Sequence, residues 1–104
     1  MQIWDAFIHN GNREFKDENF EFALGHYEQA LKQANAMLHT KHNIHCVTSF
    51  IDNTQMQVKV NRILISHCLL ANCYFELNWS KKGCEQYEIA YQFLKSAIIL
   101  STDN

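Results

Sequence analysis

GNREFKDENFEFALGHYEQA, residues 11–30, is echoed sixty residues later by ANCYFELNWSKKGCEQYEIA, residues 71–90. Gly11, Asn12, Phe15, Ala23, Tyr27 and Ala30 recur as Ala71, Asn72, Phe75, Gly83, Tyr87 and Ala90. Small residues fall where two helices must approach closely, and large rings fall where the groove between them needs filling. The pattern predicts a duplicated helical hairpin, in which each unit buries its apolar side against the next. Such hairpins present a surface instead of assembling reactive groups, so the expected role is binding another polypeptide without catalysis.

Outward from these stretches, the helical period marks four helices. The first is expected over about residues 2–16, with Trp4, Phe7, Ile8, Gly11 and Phe15 on one side. Asp17, Glu18 and Asn19 make the turn, Asn19 caps the second helix through its side-chain oxygen, and Glu21 complements its dipole. Phe20, Ala23, Leu24, Tyr27, Ala30, Leu31, Ala34 and Leu38 carry that helix to about Thr40. Thr54-Gln55-Met56-Gln57 has capping-box spacing and places the start of the third helix near Thr54. Val60, Ile63, Leu64, Ala71, Tyr74 and Phe75 follow, and the helix ends near Leu77. Asn78 or Ser80 opens the fourth, with Gly83, Tyr87, Ala90, Tyr91, Leu94, Ala97 and Ile98 along it. The fold class is all-α: two antiparallel hairpins, about 2–40 and 54–100, in a single domain over residues 1–104.

These residues resemble the tetratricopeptide repeat, whose signature runs aromatic, two residues, Leu-Gly, two residues, Tyr, then Ala, three residues, aromatic. Phe7, Asn10-Gly11, Glu14, Ala23 and Tyr27 match one copy, and His67, Leu70-Ala71, Tyr74, Gly83 and Tyr87 the other. Ala30 and Ala90 fit the later Ala of the family. Asn10, Glu14 and His67 depart from the signature, and the closing Pro is absent from a chain with no proline. The brevity is similar to that of small bacterial members of the group. Family repeats lie 34 residues apart, and these lie sixty apart. Lengthened middle helices account for the excess: no Gly or Pro interrupts Lys32 to Arg62, and thirteen more residues per helix would add about 20 Å. An ordered loop of roughly seventeen residues is the alternative.

In the family, peptides lie in a concave groove lined by the first helix of each hairpin. The resemblance implies that Asp5, His9, Asn12 and Lys16 from one copy, and Ile65, Leu69, Asn72, Phe75 and Glu76 from the other, face a protein or peptide partner. Asn12 and Asn72 stand out, because a carboxamide both donates to and accepts from an extended backbone. Bonding of each Asn to a neighbouring helix or to water is the competing role. Members that clamp a terminal carboxylate surround such Asn residues with Lys and Arg. Ile8 and Cys68 stand at the leading basic positions, which argues against that specificity.

Composition narrows the classes further. Hydrophobic residues at 47% suffice for a core, and a formal charge of −2 without a basic cluster lacks the footprint of nucleic-acid binding. The start of the chain lacks a secretory pattern, and no run approaches eighteen apolar residues, so no membrane association and cytoplasmic residence are expected. Cys46, Cys68, Cys73 and Cys84 form no Cys-x-x-Cys pair and are expected as free buried thiols.

His39, His42, His45 and Cys46 fall within eight residues and make the alternative reading, a His-rich metal-binding or metal-responsive protein taking zinc or copper. No carboxylate between Glu28 and Asp52 is at hand to orient those rings, so solvated histidines are the simpler reading and no cofactor is expected. His67 and Cys68 point about 100° apart on a helix and do not form a nucleophile–base pair. His67 reads as a packing residue, and Glu85 and Glu88 as a solvated face. Gly25, inside the second helix, suggests a close helix approach. The run Phe93-Leu94-Lys95-Ser96-Ala97-Ile98-Ile99-Leu100 is too apolar for the outer face of a terminal helix. It is expected to dock on a second subunit, giving a helical homodimer, or on a partner protein, or else to be covered by the lengthened second and third helices.

Overall fold

A computed structural model describes residues 3–38 and 49–102, with side chains for 3–38 and 55–98. Four α-helices run through them: α1 Ile3–Lys16, α2 Phe20–Leu38, α3 Ser49–Glu76 and α4 Ser80–Thr102. Each hairpin is closed by the same device. Among the α1–α2 turn bonds, the Glu18 N–H donates to the Phe15 carbonyl at 2.9 Å and the Asn19 N–H to the Glu14 carbonyl at 2.8 Å. At α3–α4 the Asn78 N–H donates to the Phe75 carbonyl at 3.0 Å and the Trp79 N–H to the Tyr74 carbonyl at 2.7 Å. These are Schellman caps, which satisfy the last carbonyls of a helix by turning one residue left-handed. That residue is Glu18 in the first turn and Asn78 in the second, both at φ 65°.

The cap's side chains differ between the copies while serving one purpose. In the second, Tyr74 and Trp79 stack with centroids 5.9 Å apart, the apolar contact that accompanies such a cap. In the first, Asn19 Nδ2 donates to Glu14 Oε1 at 2.9 Å across the same two positions. The Asn19 amide therefore reaches back to α1, away from the expected capping role. Its backbone carbonyl accepts the Ala23 N–H, as that of Trp79 accepts the Gly83 N–H.

Helix α3 begins earlier than its capping signal. Ser49–Glu76 is 28 residues long against 14 for α1, and Thr54 lies inside it. A Thr-x-x-Gln spacing specifies a start only where the preceding residues leave the helical conformation, and neither Gly nor Pro precedes Thr54 to enforce that. Much of the extra separation between the copies is thus extra helix in α3. The remainder of the 41–53 question, residues 41–48, lies outside the described residues.

Packing proceeds in chain order, α1 on α2, α2 on α3 and α3 on α4, in a slab of 45 × 29 × 17 Å. Two apolar clusters hold it. Ala23 and Tyr27 of α2 meet Leu70, Cys73 and Tyr74 of α3, with Ile8, Phe15 and Leu69 against them. Ala30 and Ala34 of α2 meet Trp4 and Ile63, with Phe7, Leu38 and Phe93 at the edge. Full burial of a residue such as Leu70 or Ile63 contributes about 1.5–3 kcal/mol. The small residues sit where the repeated pattern puts them. A Cβ on Gly11 would lie 2.5 Å from Tyr27 Cε1, and one on Gly83 would lie 2.8 Å from Phe75 Cζ. Gly25 has no neighbour within 4 Å of such a Cβ, so no close approach explains it.

One buried polar tie crosses the array. Trp4 Nε1 donates to Ser66 Oγ at 2.9 Å, and Ser66 Oγ donates to the Arg62 carbonyl at 2.8 Å. The Arg62 guanidinium lies over the Trp4 ring, 5.4 Å from its centroid. The tie joins α1 to α3 across sixty-two positions. Among the described residues no helix is long and apolar enough to cross a membrane.

Candidate binding surface

The residues expected to face a partner form two rows. Asp5, His9, Asn12 and Lys16 on α1, and Ile65, Leu69, Asn72 and Glu76 on α3, share the spacing of one helix face. His9, Asn12, Lys16, Ile65, Asn72, Phe75 and Glu76 are exposed, and Asp5 is half-buried. Leu69 is also half-buried and packs on the Tyr27 cluster, so much of it belongs to the core. The Phe75 ring lies against Gly83 and stacks on Tyr87 at 5.9 Å. The Trp4–Ser66 bond sets the start of the α1 row beside the middle of α3.

Asn12 and Asn72 have matching environments. Tyr27 Oη donates to Asn12 Oδ1 at 2.6 Å, and Tyr87 Oη donates to Asn72 Oδ1 at 3.0 Å. Each tyrosine is fifteen positions beyond its asparagine, on the following helix. Burial, helped by the nearby Cys73, pushes the Tyr27 hydroxyl up to about 12, so it keeps its proton and remains a donor. Both Asn residues therefore bond a neighbouring helix through the oxygen. Each exposed carboxamide still has two N–H donors, whose direction the tyrosine fixes. The tyrosine hydroxyls were the unforeseen part. Their signal was available, since Asn and Tyr recur together at the same separation in both copies.

The other singled-out groups are placed separately. His67 is buried, as a packing residue should be, and its Nδ1 donates to Gln86 Oε1 of α4 at 2.7 Å. Cys73 is a buried free thiol, pushed up to about 12 by burial and then by the Glu76 charge. Cys68 is half-buried, and Cys84 is exposed, against the expectation that all the thiols are buried. Its helix turns it away from α3, the side that Gly83 faces. Glu85 and Glu88 are exposed.

At the α3–α4 turn, Lys82 Nζ lies 5.3 Å and 5.7 Å from the Trp79 and Tyr74 ring centroids. Asn78, Trp79, Ser80, Lys81 and Lys82 line an open hollow there, just beyond the Glu76 end of the α3 row. Among the described residues no three His, Cys, Asp or Glu side chains are grouped to hold a metal ion. His39, His42, His45 and Cys46 lie outside the described residues.

No family model, curated protein or solved structure matches the chain.

Proposed function

We propose that the chain is a tetratricopeptide-like adaptor, non-enzymatic, that holds an extended peptide segment of a protein partner along the α1 and α3 rows. The observation that carries this reading is the pair of exposed carboxamides, Asn12 and Asn72, each with its oxygen engaged by a tyrosine at 2.6 and 3.0 Å. A carboxamide oriented in advance loses less freedom when it donates to a peptide carbonyl. Its recurrence on two successive first helices suits a ligand whose backbone carbonyls repeat. Asp5, Lys16 and Glu76 supply charges of both signs along the rows, His9 a polar ring and Ile65 apolar surface. The free thiols fit residence in a reducing compartment such as the cytoplasm.

Selection of peptides from a random library on the full chain tests the reading. Selected peptides are expected to shift the side-chain amide resonances of Asn12 and Asn72, and to lose about tenfold or more in affinity for the Asn12→Ala/Asn72→Ala variant. That variant should lose about 1–3 kcal/mol of stability, because the buried Tyr27 hydroxyl loses its acceptor, so the affinities are compared well below its melting temperature. Peptides that bind wild type and variant alike would refute the role of the carboxamides.

A further inference from the structure

We infer that the outer face of α4 is a self-association surface, on which a second copy of this chain docks its own α4 in antiparallel orientation. The inference shares Tyr87 with the peptide reading, where its hydroxyl holds Asn72, and otherwise draws on different residues. It begins from α2, where Tyr27, Leu31, Ala34 and Leu38 form the stripe packed into the two clusters that α3 completes. Sixty positions later the same stripe on α4 is Tyr87, Tyr91, Leu94 and Ile98. Tyr27 and Ala34 are buried, whereas Tyr87, Tyr91 and Leu94 are 42%, 58% and 40% exposed. The copy of the stripe that has a following helix is covered. Among the described residues no helix lies over Tyr87, Tyr91 and Leu94 in that way, and this face keeps its apolar character and its heptad spacing.

The chemistry of the molecule selects the occupant. The α3 residues that meet α2 include Ile63, Leu70 and Cys73, and their counterparts on α1 are Ile3, Asn10 and Arg13. Arg13 donates to Asn10 Oδ1 at 3.2 Å, so this end of the array is polar. A head-to-tail contact would set those groups against the α4 stripe and strip their water. A symmetric contact of α4 with itself avoids this.

Orientation follows from the flanking charges. Tyr87 and Leu94 occupy d positions, and Cys84, Tyr91 and Ile98 occupy a positions. Glu88 and Lys95 then both fall at e. In an antiparallel pair Tyr91 layers on Leu94 of the second copy, and Glu88 flanks Lys95 of the second copy, twice by symmetry. A parallel pair would set these charges beside Gly83 and Ala90, neither of which carries an opposite charge. The seam is only about three turns long, so micromolar affinity is expected.

Sedimentation velocity of the full chain from about 1 to about 200 µM tests this. The wild type should pass from monomer to dimer in that range. Leu94→Lys should weaken the dimer by on the order of a hundredfold while leaving the helical circular dichroism unchanged. Lys95→Glu should weaken it roughly three- to tenfold, and adding Glu88→Lys should restore it. The two Cys84 thiols would be about 25 Å apart along the antiparallel seam, so oxidation should not link them. A monomer throughout, a dimer indifferent to Leu94→Lys, a charge reversal without restoration, or ready Cys84–Cys84 linkage would each overturn the inference.

Discussion

Replacing each glycine in turn by alanine tests the packing with one methyl group. At Gly11 the new carbon would stand 2.5, 2.7 and 3.0 Å from Tyr27 Cε1, Cδ1 and Cζ, where about 3.5–4.0 Å is comfortable. The ring is buried and held at its hydroxyl by Asn12, so α1 must lift from α2 by about 1 Å. Overpacking of this kind costs about 1–3 kcal/mol, and loosening the hydrogen bond adds about 1 kcal/mol. Removing a helix-interior glycine returns about 1 kcal/mol. The net expectation for Gly11→Ala is a loss of about 1–3 kcal/mol, or a melting temperature lower by roughly 5–15 °C for a domain of this size. At Gly83 the nearest atoms belong to the outer end of the Phe75 ring, 37% exposed, which can swing aside. There the two effects nearly cancel. Gly25→Ala meets nothing within 4 Å and should stabilise by about 0.5–1 kcal/mol. Urea titrations followed by circular dichroism give the order directly. A Gly11→Ala protein as stable as Gly25→Ala would refute the contact with Tyr27 and the packing built on it.

Two further expectations concern buried groups. Ser66→Ala leaves the Trp4 indole N–H without its acceptor and should cost about 1–3 kcal/mol, while Trp4→Phe/Ser66→Ala should show coupling in a double-mutant cycle of urea melts. Additive effects would place the two side chains apart. The second expectation is alkaline sensitivity: Cys73 and Tyr27, both pushed up to about 12, keep protons in the folded chain that the unfolded chain releases from about pH 9 upward. Stability should therefore be constant with respect to these groups below pH 9 and fall as pH rises toward 12. Cys73→Ala should make the decline shallower, and urea melts at intervals over this range would expose an unchanged slope. In the native protein at neutral pH, alkylation should reach Cys84 well before Cys73.

How much of this was legible in the chain varies with the range of the interaction. The four helices and both turns follow from periodicity and from the sixty-residue echo, because those signals are local or duplicated. Gly11 and Gly83 were identifiable as contact points for the same reason. Gly25 was not: a glycine inside a helix looks the same in sequence whether it faces a neighbour or water, and only the phase of α2 against α1 and α3 decides. The Trp4–Ser66 bond links positions with no shared period, so nothing in either neighbourhood announces the other. The start of α3 was misplaced because a capping spacing also occurs by chance inside helices. Of the candidate surface, the two Asn residues were readable as a pair, but their engagement by tyrosine hydroxyls required the angle between consecutive helices.

Packing in single file has a mechanical consequence. Helices α1, α2 and α3 are interlocked, since Trp4 of the first is bound to Ser66 of the third over the alanines of the second. Among the described residues helix α4 lends that core Phe93 at its rim and otherwise leans on α3. Under tension applied at the carboxyl end, the chain should part like tiles lifted from the end of a row: α4 peels away first, and the three-helix remainder yields in a later and larger event.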